Sequence, residues 1–282
     1  MKFIEADHVI SECICGFLFA LLSTPAWLNA NPLQSKQIQD VAFAFSDSTG
    51  TKFLSVDTTD KPTRLSKAIC SQGPLLNIRF LGLQKKSSDW NGRQTAYNFD
   101  KTEGALFSIL GERLSVKAAS GESCLLVTEQ FLSARRRLPV TVLDVPTPIS
   151  VGLLRRIEQV RKKKALWGKL IGKIDRNSLV VVQFAPESRK SIASFVFLGP
   201  DFTSFNDHEA NYDENAKDFV WRVDVPGVNP ADFYIVAAFE GGMGAEIVVL
   251  WDGYEGQNLF LLRRNGVVLR SLYHSYRYWA GQ

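Results

Sequence analysis

The densest run of oxygen-bearing side chains lies between Asp207 and Asp218. Asp207, Glu209, Asn211, Asp213, Asn215 and Asp218 take the first, third, fifth, seventh, ninth and twelfth places of that run. This is the register of a calcium-binding loop set between two helices. Two places depart from it: Tyr212 stands where such a loop turns on glycine, and Asp218 where a longer bidentate glutamate belongs. The flanks read as loop and strand, not as helices. The plainer reading is a solvated acidic loop over Gly199 to Lys217, and no metal ligand is assigned.

Histidines are few: His8, His208 and His274. A zinc site needs more ligands at fixed spacing. His208 and Glu209 make half of a metalloprotease-like pair, and nothing completes it. His274 shares a strand face with Leu272 and Tyr276, where a rim or core histidine is the ordinary expectation. The chain holds no G-x-S-x-G, no S-x-x-K and no phosphate-cradling glycine loop. A triad scattered along the chain is the surviving route to catalysis. No catalytic, cofactor-binding or metal residue is assigned.

Two further groups could bind rather than react. Arg155, Arg156, Arg161, Lys162, Lys163, Lys164 and Lys169 could face anionic lipid, an acidic polymer or the acidic end of the chain. The alternative is a solvated polar helix face. Trp221, Trp251, Tyr254, Tyr273, Tyr276, Tyr278 and Trp279 crowd the C-terminal sheet. They would form a platform for a sugar or peptide, or else fill cross-strand pairs in the core.

The elements that carry these residues are mostly strands. From Ala231 to Trp279, β-branched and aromatic residues alternate with glycine turns, the pattern of short antiparallel strands. Asn265-Gly266 between two apolar runs predicts a type I′ hairpin. Period two puts Phe233, Ile235, Ala237 and Phe239 on one side, and Ile247, Val249 and Trp251 on one side of the next strand. Neither face is polar, so cover is expected on both. Ahead of this meander, Ile149 to Lys164 predicts one basic amphipathic helix. Thr147 is read as its cap, Pro148 as its first residue, and Leu153, Ile157 and Val160 as its stripe, widened by Leu154. Arg135 to Pro148 is rich in arginine and proline, and reads as an edge strand (VTVLDV) or a linker. Before it, strands are expected at 41–45, 52–56, 75–83, 95–99, 105–110, 113–118 and 123–130, as a second meander.

The first thirty residues read as an address. Cys13 to Ala30 is an apolar core followed by Leu28-Asn29-Ala30, a pattern that fits a secretory leader cut after Ala30. The acids Glu5, Asp7 and Glu12 fit it poorly. A membrane anchor and a buried helix stay open as alternatives. Without the leader two cysteines remain, Cys70 and Cys124, which are either bonded or two buried thiols.

Bulk properties agree with an ordinary folded chain: 282 residues, 45% hydrophobic, 22% charged, net charge +4. A charge that small argues against nucleic acid as partner. It is unevenly spread. Arg135 to Arg176 holds twelve bases against three acids (+9), and Gly199 onward holds six against twelve (−6). The expectation is therefore a mainly β protein, α+β through its one basic helix, with antiparallel meanders in a sandwich-like or two-sheet architecture. Its parts are a leader at 1–30, a β-rich part at 31–145, and a helix with a meander at 146–282. It is expected to be exported to the periplasm or beyond, to lack catalysis, and to bind a protein or a glycan. The membrane surface is a further expected contact, through the basic helix 149–164. A hydrolase with a dispersed site and a subunit of an envelope assembly are the alternatives.

Overall fold

The computed structural model describes residues 40–279, without 58–59, 72, 214–217, 223–224, 227 and 254; for 212–213, 218–222 and 225–226 the backbone alone is described. The expected leader and His8 lie outside the described residues.

The chain is mainly β and antiparallel, as its alternation predicts. Six strands close a barrel: β1 (Val41–Ser46), β2 (Lys52–Ser55), β3 (Lys67–Cys70), β4 (Leu75–Gln84), β5 (Gly104–Leu110) and β6 (Ser123–Val127). Their order around it is β1-β2-β5-β4-β3-β6, so the first half departs from a plain meander. Alanines share the interior with large rings (Ala42, Ala44, Ala68 and Ala105 beside Phe53 and Phe107), which lets so narrow a barrel fill without clash. Cys70 and Cys124 are register partners on β3 and β6 and are disulfide-bonded, with Cα atoms 4.4 Å apart.

Two expected strands are absent here. Residues 95–99 form a 3-10 turn, Ala96–Lys101, because Ala96 and Phe99 are buried three residues apart, one turn of that helix. Residues 113–118 make isolated bonds instead of a ladder: Leu114 N–H to Gly50, and Lys117 N–H to the Glu122 carboxylate. The expected strand 123–130 stops at Val127, and α1 (Glu129–Ser133) follows, capped by the Thr128 hydroxyl, which accepts from Phe131 N–H at 3.0 Å.

The remaining strands form one curled sheet. They are β7 (Arg135–Arg137), β8 (Val140–Pro148), β9 (Ala165–Ile174), β10 (Asn177–Phe184), β11 (Lys190–Leu198), β12 (Thr203–Asp213), β13 (Asp218–Arg222), β14 (Val225–Pro226), β15 (Phe233–Gly241), β16 (Gly244–Asp252), β17 (Gly256–Asn265) and β18 (Val268–Tyr278). Ten run in the order β7-β15-β16-β17-β18-β12-β11-β10-β9-β8, and β13 and β14 extend from β12. The two antiparallel halves meet at one parallel contact, Phe205 beside Val268. Ser204 and Asn206 tie that junction with side-chain bonds to Gly266 O (2.6 Å) and Leu269 O (3.1 Å).

Both faces of β15 to β17 are largely covered, as their apolar pattern requires, while β18 leaves His274 and Tyr276 exposed on the concave side. The concave side packs on itself through Ile171, Val181, Phe195, Phe233, Ile247 and Val249. The other side packs on the barrel, where Val41, Phe43, Ile69, Leu125 and Val127 meet Phe239, Val248, Leu250 and Leu261. A bulge at Val236 changes the predicted faces of β15. Phe233 and Ile235 lie inside, whereas Ala237 and Phe239 turn to the barrel. One extra residue reverses every later side chain on a strand of period two.

The helix is α2 (Val151–Arg161), shorter than expected at both ends. Its cap is Ser150, whose hydroxyl accepts from Leu153 N–H at 3.3 Å; Pro148 instead ends β8, and Thr147 belongs to the same strand. Its buried edge is Leu154 and Ile157, and Val160 faces solvent at 42% exposure. Gly168 and Gly172 are where the sheet admits its neighbours. A Cβ on Gly168 would lie 2.8 Å from Ile149, and one on Gly172 2.6 Å from Ile235 and from Thr141 O. The last hairpin pairs Asn265 with Val268, so its central residues are Gly266 and Val267. Gly266 alone of the pair has positive φ (60°), the mark of a type II′ turn in place of the expected I′.

A candidate binding site on the concave face

The residues 203–213 are strand β12, not loop. Alternation sorts its acids to the outer side, where bases neutralise them. Asp207 pairs with Arg161 and accepts from the Ser194 hydroxyl, and Glu209 meets Lys190 at 3.3 Å. A strand spreads carboxylates about 7 Å apart along one face, too far to converge on one ion. Among the described residues no group of three or more His, Cys, Asp or Glu is placed to hold a metal.

The same alternation turns His208 inward, and there the structure assembles a row that sequence spacing does not show. Phe195 of β11 stacks on Phe233 of β15 at 6.2 Å. Phe233 stacks on Trp251 of β16 at 5.1 Å and 12°. His208 sets its ring 4.8 Å from Trp251 and 5.7 Å from Phe260 of β17. Phe260 carries His274 of β18 flat against it at 4.7 Å and 16°. The His274 Nε2 meets Asn258 Oδ1 at 3.2 Å. Partial burial on Phe260 pulls the His274 pKa below its ordinary value, and the Asp57 charge opposes this more weakly. The row climbs from Phe195, 1% exposed, to Tyr276, 43% exposed.

A second row crosses this one. Gln183 of β10 faces Ala193 of β11, which faces His208, while Trp167 of β9 faces Gln183 from the other side. Gln183 is 1% exposed. Its amide donates to Ser191 Oγ at 2.6 Å and to Ile192 O at 3.1 Å. Its carbonyl oxygen has no hydrogen-bond partner among the described residues. A buried acceptor left open costs roughly 1–3 kcal/mol and calls for a donor. Ala193, between two large neighbours, adds little bulk to that wall.

The expected aromatic platform is divided. Trp251 and Tyr276 belong to the concave side. Tyr273 turns to the barrel and gives its phenol to Asp57, and burial first, then that charge, raises its pKa. Trp279 lies 5.5 Å from the Arg277 guanidinium. Tyr278 is half-buried at the edge of β18. Tyr254 and the Trp221 side chain lie outside the described residues. The basic helix is largely engaged within the fold. Arg156 donates to Phe202 O at 2.7 Å, Arg161 pairs with Asp207, Lys163 with Glu187, and Lys164 with Glu158 at 3.1 Å.

Two polar groups, Asp57 and Arg277, lock the barrel to the sheet, and a third, Glu246, ties strands of the sheet together. Asp57 accepts from Phe43 N–H (2.9 Å), from the Ser275 hydroxyl (2.6 Å) and from Tyr273. This joins a serine to a carboxylate, with His274 on the opposite face of the same strand, so it holds the seam and does not make a nucleophile. Arg277 is 3% exposed and donates to Gln94 O (2.7 Å), Gly121 O (3.0 Å), Ser123 Oγ (2.8 Å) and Ser120 O. Burial lowers its pKa to about 9, which leaves it charged at neutral pH. Glu246, 2% exposed, is gripped by Arg135 (2.6 Å) and Arg263 (2.6 Å) beside a seam cavity of about 160 Å³. Each guanidinium there already has Glu246 as its counter-charge.

Among the described residues no helix is long and apolar enough to cross a membrane. In comparison with known proteins, no family model, curated protein or solved structure matches the chain.

Proposed function

We propose that this is an exported, non-catalytic binding protein, and that the concave end of its large sheet takes a hydroxyl-bearing ring ligand of the glycan type. The observation that carries this is the crossing of the two rows at His208. Trp251 and Phe260 set their rings against His208, Phe260 carries His274, and along the register Gln183, whose buried carbonyl has no partner among the described residues, stands two strands beyond His208. Sugar rings offer what those groups need, apolar C–H faces to stack and hydroxyls to donate. The bonded Cys70–Cys124 pair fits an oxidising compartment and so supports export. The leader after which the chain would be cut is residues 1–30. An intact N-terminus on the exported protein, read by mass spectrometry, would refute that cleavage.

The binding test is retention on an array of neutral oligosaccharides, followed by calorimetry on whatever is retained. Trp251→Ala and His274→Ala each weaken binding about tenfold, the loss of one stacking contact of about 1–1.5 kcal/mol. Retention of nothing, or retention by either variant equal to the parent's, refutes the reading.

A further inference from the structure

We propose that the seam cavity between barrel and sheet binds a small monocarboxylate, its apolar body in the cavity and its head on the arginines that line and flank it. This site lies on the barrel side of the sheet, so it stands apart from the concave face. The cavity measures about 160 Å³. Val41 of β1, Phe131 of α1, Leu261 of β17, and Leu272 and Tyr273 of β18 give it apolar walls. An apolar cavity of roughly 150 Å³ is enough to take a benzene ring. Barrel and sheet build it together, and neither makes it alone.

The charges around it select the head group. On the barrel side of the sheet one register row runs Phe239, Glu246, Arg263, Arg270. Arg135 reaches into that row from β7 and lines the cavity together with Arg263. Glu246 holds both guanidiniums, yet its single charge balances only one of them. Their side chains are 16% and 11% exposed, so solvent screens the surplus weakly. The Arg263 Nη1 has only the Met243 sulfur at 3.6 Å, a weak acceptor. Arg270, the register partner of Arg263, is exposed, and among the described residues no ion pair engages it. Like charges directly opposite on paired strands repel, which an anion between them would relieve.

The acids nearby are already answered. Asp40 also lines the cavity, but it pairs with Arg64 at 3.5 Å and accepts from the Thr128 hydroxyl at 3.1 Å. Glu129 of α1 pairs with Lys67 at 2.9 Å. Glu240 follows Phe239 and so alternates to the opposite face of β15. Three arginines therefore share one carboxylate. A second carboxylate, supplied by a ligand, matches the planar guanidinium fork. The apolar walls favour an organic acid over a bare inorganic anion.

The test is titration of the full chain with benzoate, read from the NMR signals of the arginine Nε–H groups. Benzoate should bind with a Kd of about 1 mM or tighter and shift the signals of Arg135 and Arg263. Benzamide keeps the shape without the charge, and acetate keeps the charge without the ring. Each should bind at least tenfold more weakly. Arg270→Ser, and separately Gln130→Glu, which sets an acid in the cavity wall, should each weaken benzoate binding about threefold or more. Both positions are exposed, so unchanged melting temperatures separate lost binding from lost folding. Arg176→Ser removes an equal charge on the β9–β10 turn and should bind as the parent does. Benzamide or acetate binding as tightly as benzoate, or parental binding by the Arg270 or Gln130 variant, overturns the proposal. So does an equal loss with Arg176→Ser, or no saturation by about 20 mM benzoate.

Discussion

The Tyr273 phenol donates to the carboxylate of Asp57, 216 residues earlier in the chain, and so ties the last strand of the sheet to the barrel. The same carboxylate also serves Phe43 N–H and Ser275. Removing it strands three donors at a largely buried seam. Asp57→Ala should therefore cost about 3 kcal/mol or more, whereas Tyr273→Phe, which removes one donor and leaves the carboxylate satisfied by the others, should cost about 1 kcal/mol. Urea unfolding of the two variants checks the order. A costlier Tyr273→Phe would mean that ring packing, not the hydrogen bond, holds the seam.

Charges at two depths offer a second comparison. Glu246 is buried between Arg135 and Arg263, while Lys190 and Glu209 are 66% and 59% exposed. Glu246→Ala leaves two guanidiniums without their counter-charge and should destabilise by about 3–5 kcal/mol. Glu209→Ala should change stability by less than about 1 kcal/mol, and less still in high salt. Melting curves at two ionic strengths distinguish them.

Arg277 reaches three carbonyls and a hydroxyl in a space with almost no exposure. Arg277→Met keeps the stem but leaves those acceptors open, and should cost about 3–5 kcal/mol. Arg277→Lys should recover only part of this, because one ammonium cannot span the same fan of acceptors. Full recovery by lysine, seen in thermal unfolding, would show that charge alone is required.

Acid should weaken the fold through His274. Its folded pKa lies below the unfolded one because burial disfavours the charged ring. The unfolded chain therefore binds more protons at mildly acid pH. Stability from this group is complete above the unfolded value, about 6.5, and declines as pH falls from there toward the folded pKa. His274→Gln should flatten the dependence between pH 7 and 5, as chemical denaturation at several pH values would reveal. An unaltered slope would assign the acid sensitivity to other groups.

Reduction should loosen the barrel. The cross-link closes a loop 54 residues long by sequence separation. In the chain-entropy account that is worth about 4 kcal/mol. Cys70→Ala with Cys124→Ala, or reductant, should lower the melting temperature, and a disulfide-intact control should not respond to the variant's conditions. A reductant-insensitive melt would mean that the ladder around the bond already fixes those strands.

Much of the architecture is written in local pattern. Period-two runs and glycine turns mark the strands of the second half, and the cysteine count, once the expected leader is set aside, names Cys70 and Cys124 as the one possible pair but leaves open whether they bond, which the structure answers. What escapes is whatever depends on register between distant strands. The extra residue at Val236 moves Phe239 from one face to the other, and nothing in the composition of β15 announces it. The acids of β12 resemble a loop because their neutralising partners, Arg161 and Lys190, stand on other elements. His208, Phe260 and His274 come from three strands and meet only because β12 adjoins β18 at the parallel junction. A sequence signal for that meeting did exist in part: His208 alternates with Asn206 and Ala210, as an inward row would.

The packing between barrel and sheet has a consequence for synthesis. The strands of the barrel are complete once Val127 has been made, but its face bearing Val41, Phe43, Ile69, Leu125 and Val127 is covered by strands that begin at Phe233. The earliest-made part must hold an adhesive surface open while more than a hundred residues are still being added. A growing or truncated chain is thus most prone to clump during that interval, and whatever escorts it must shield the barrel until its own C-terminus arrives.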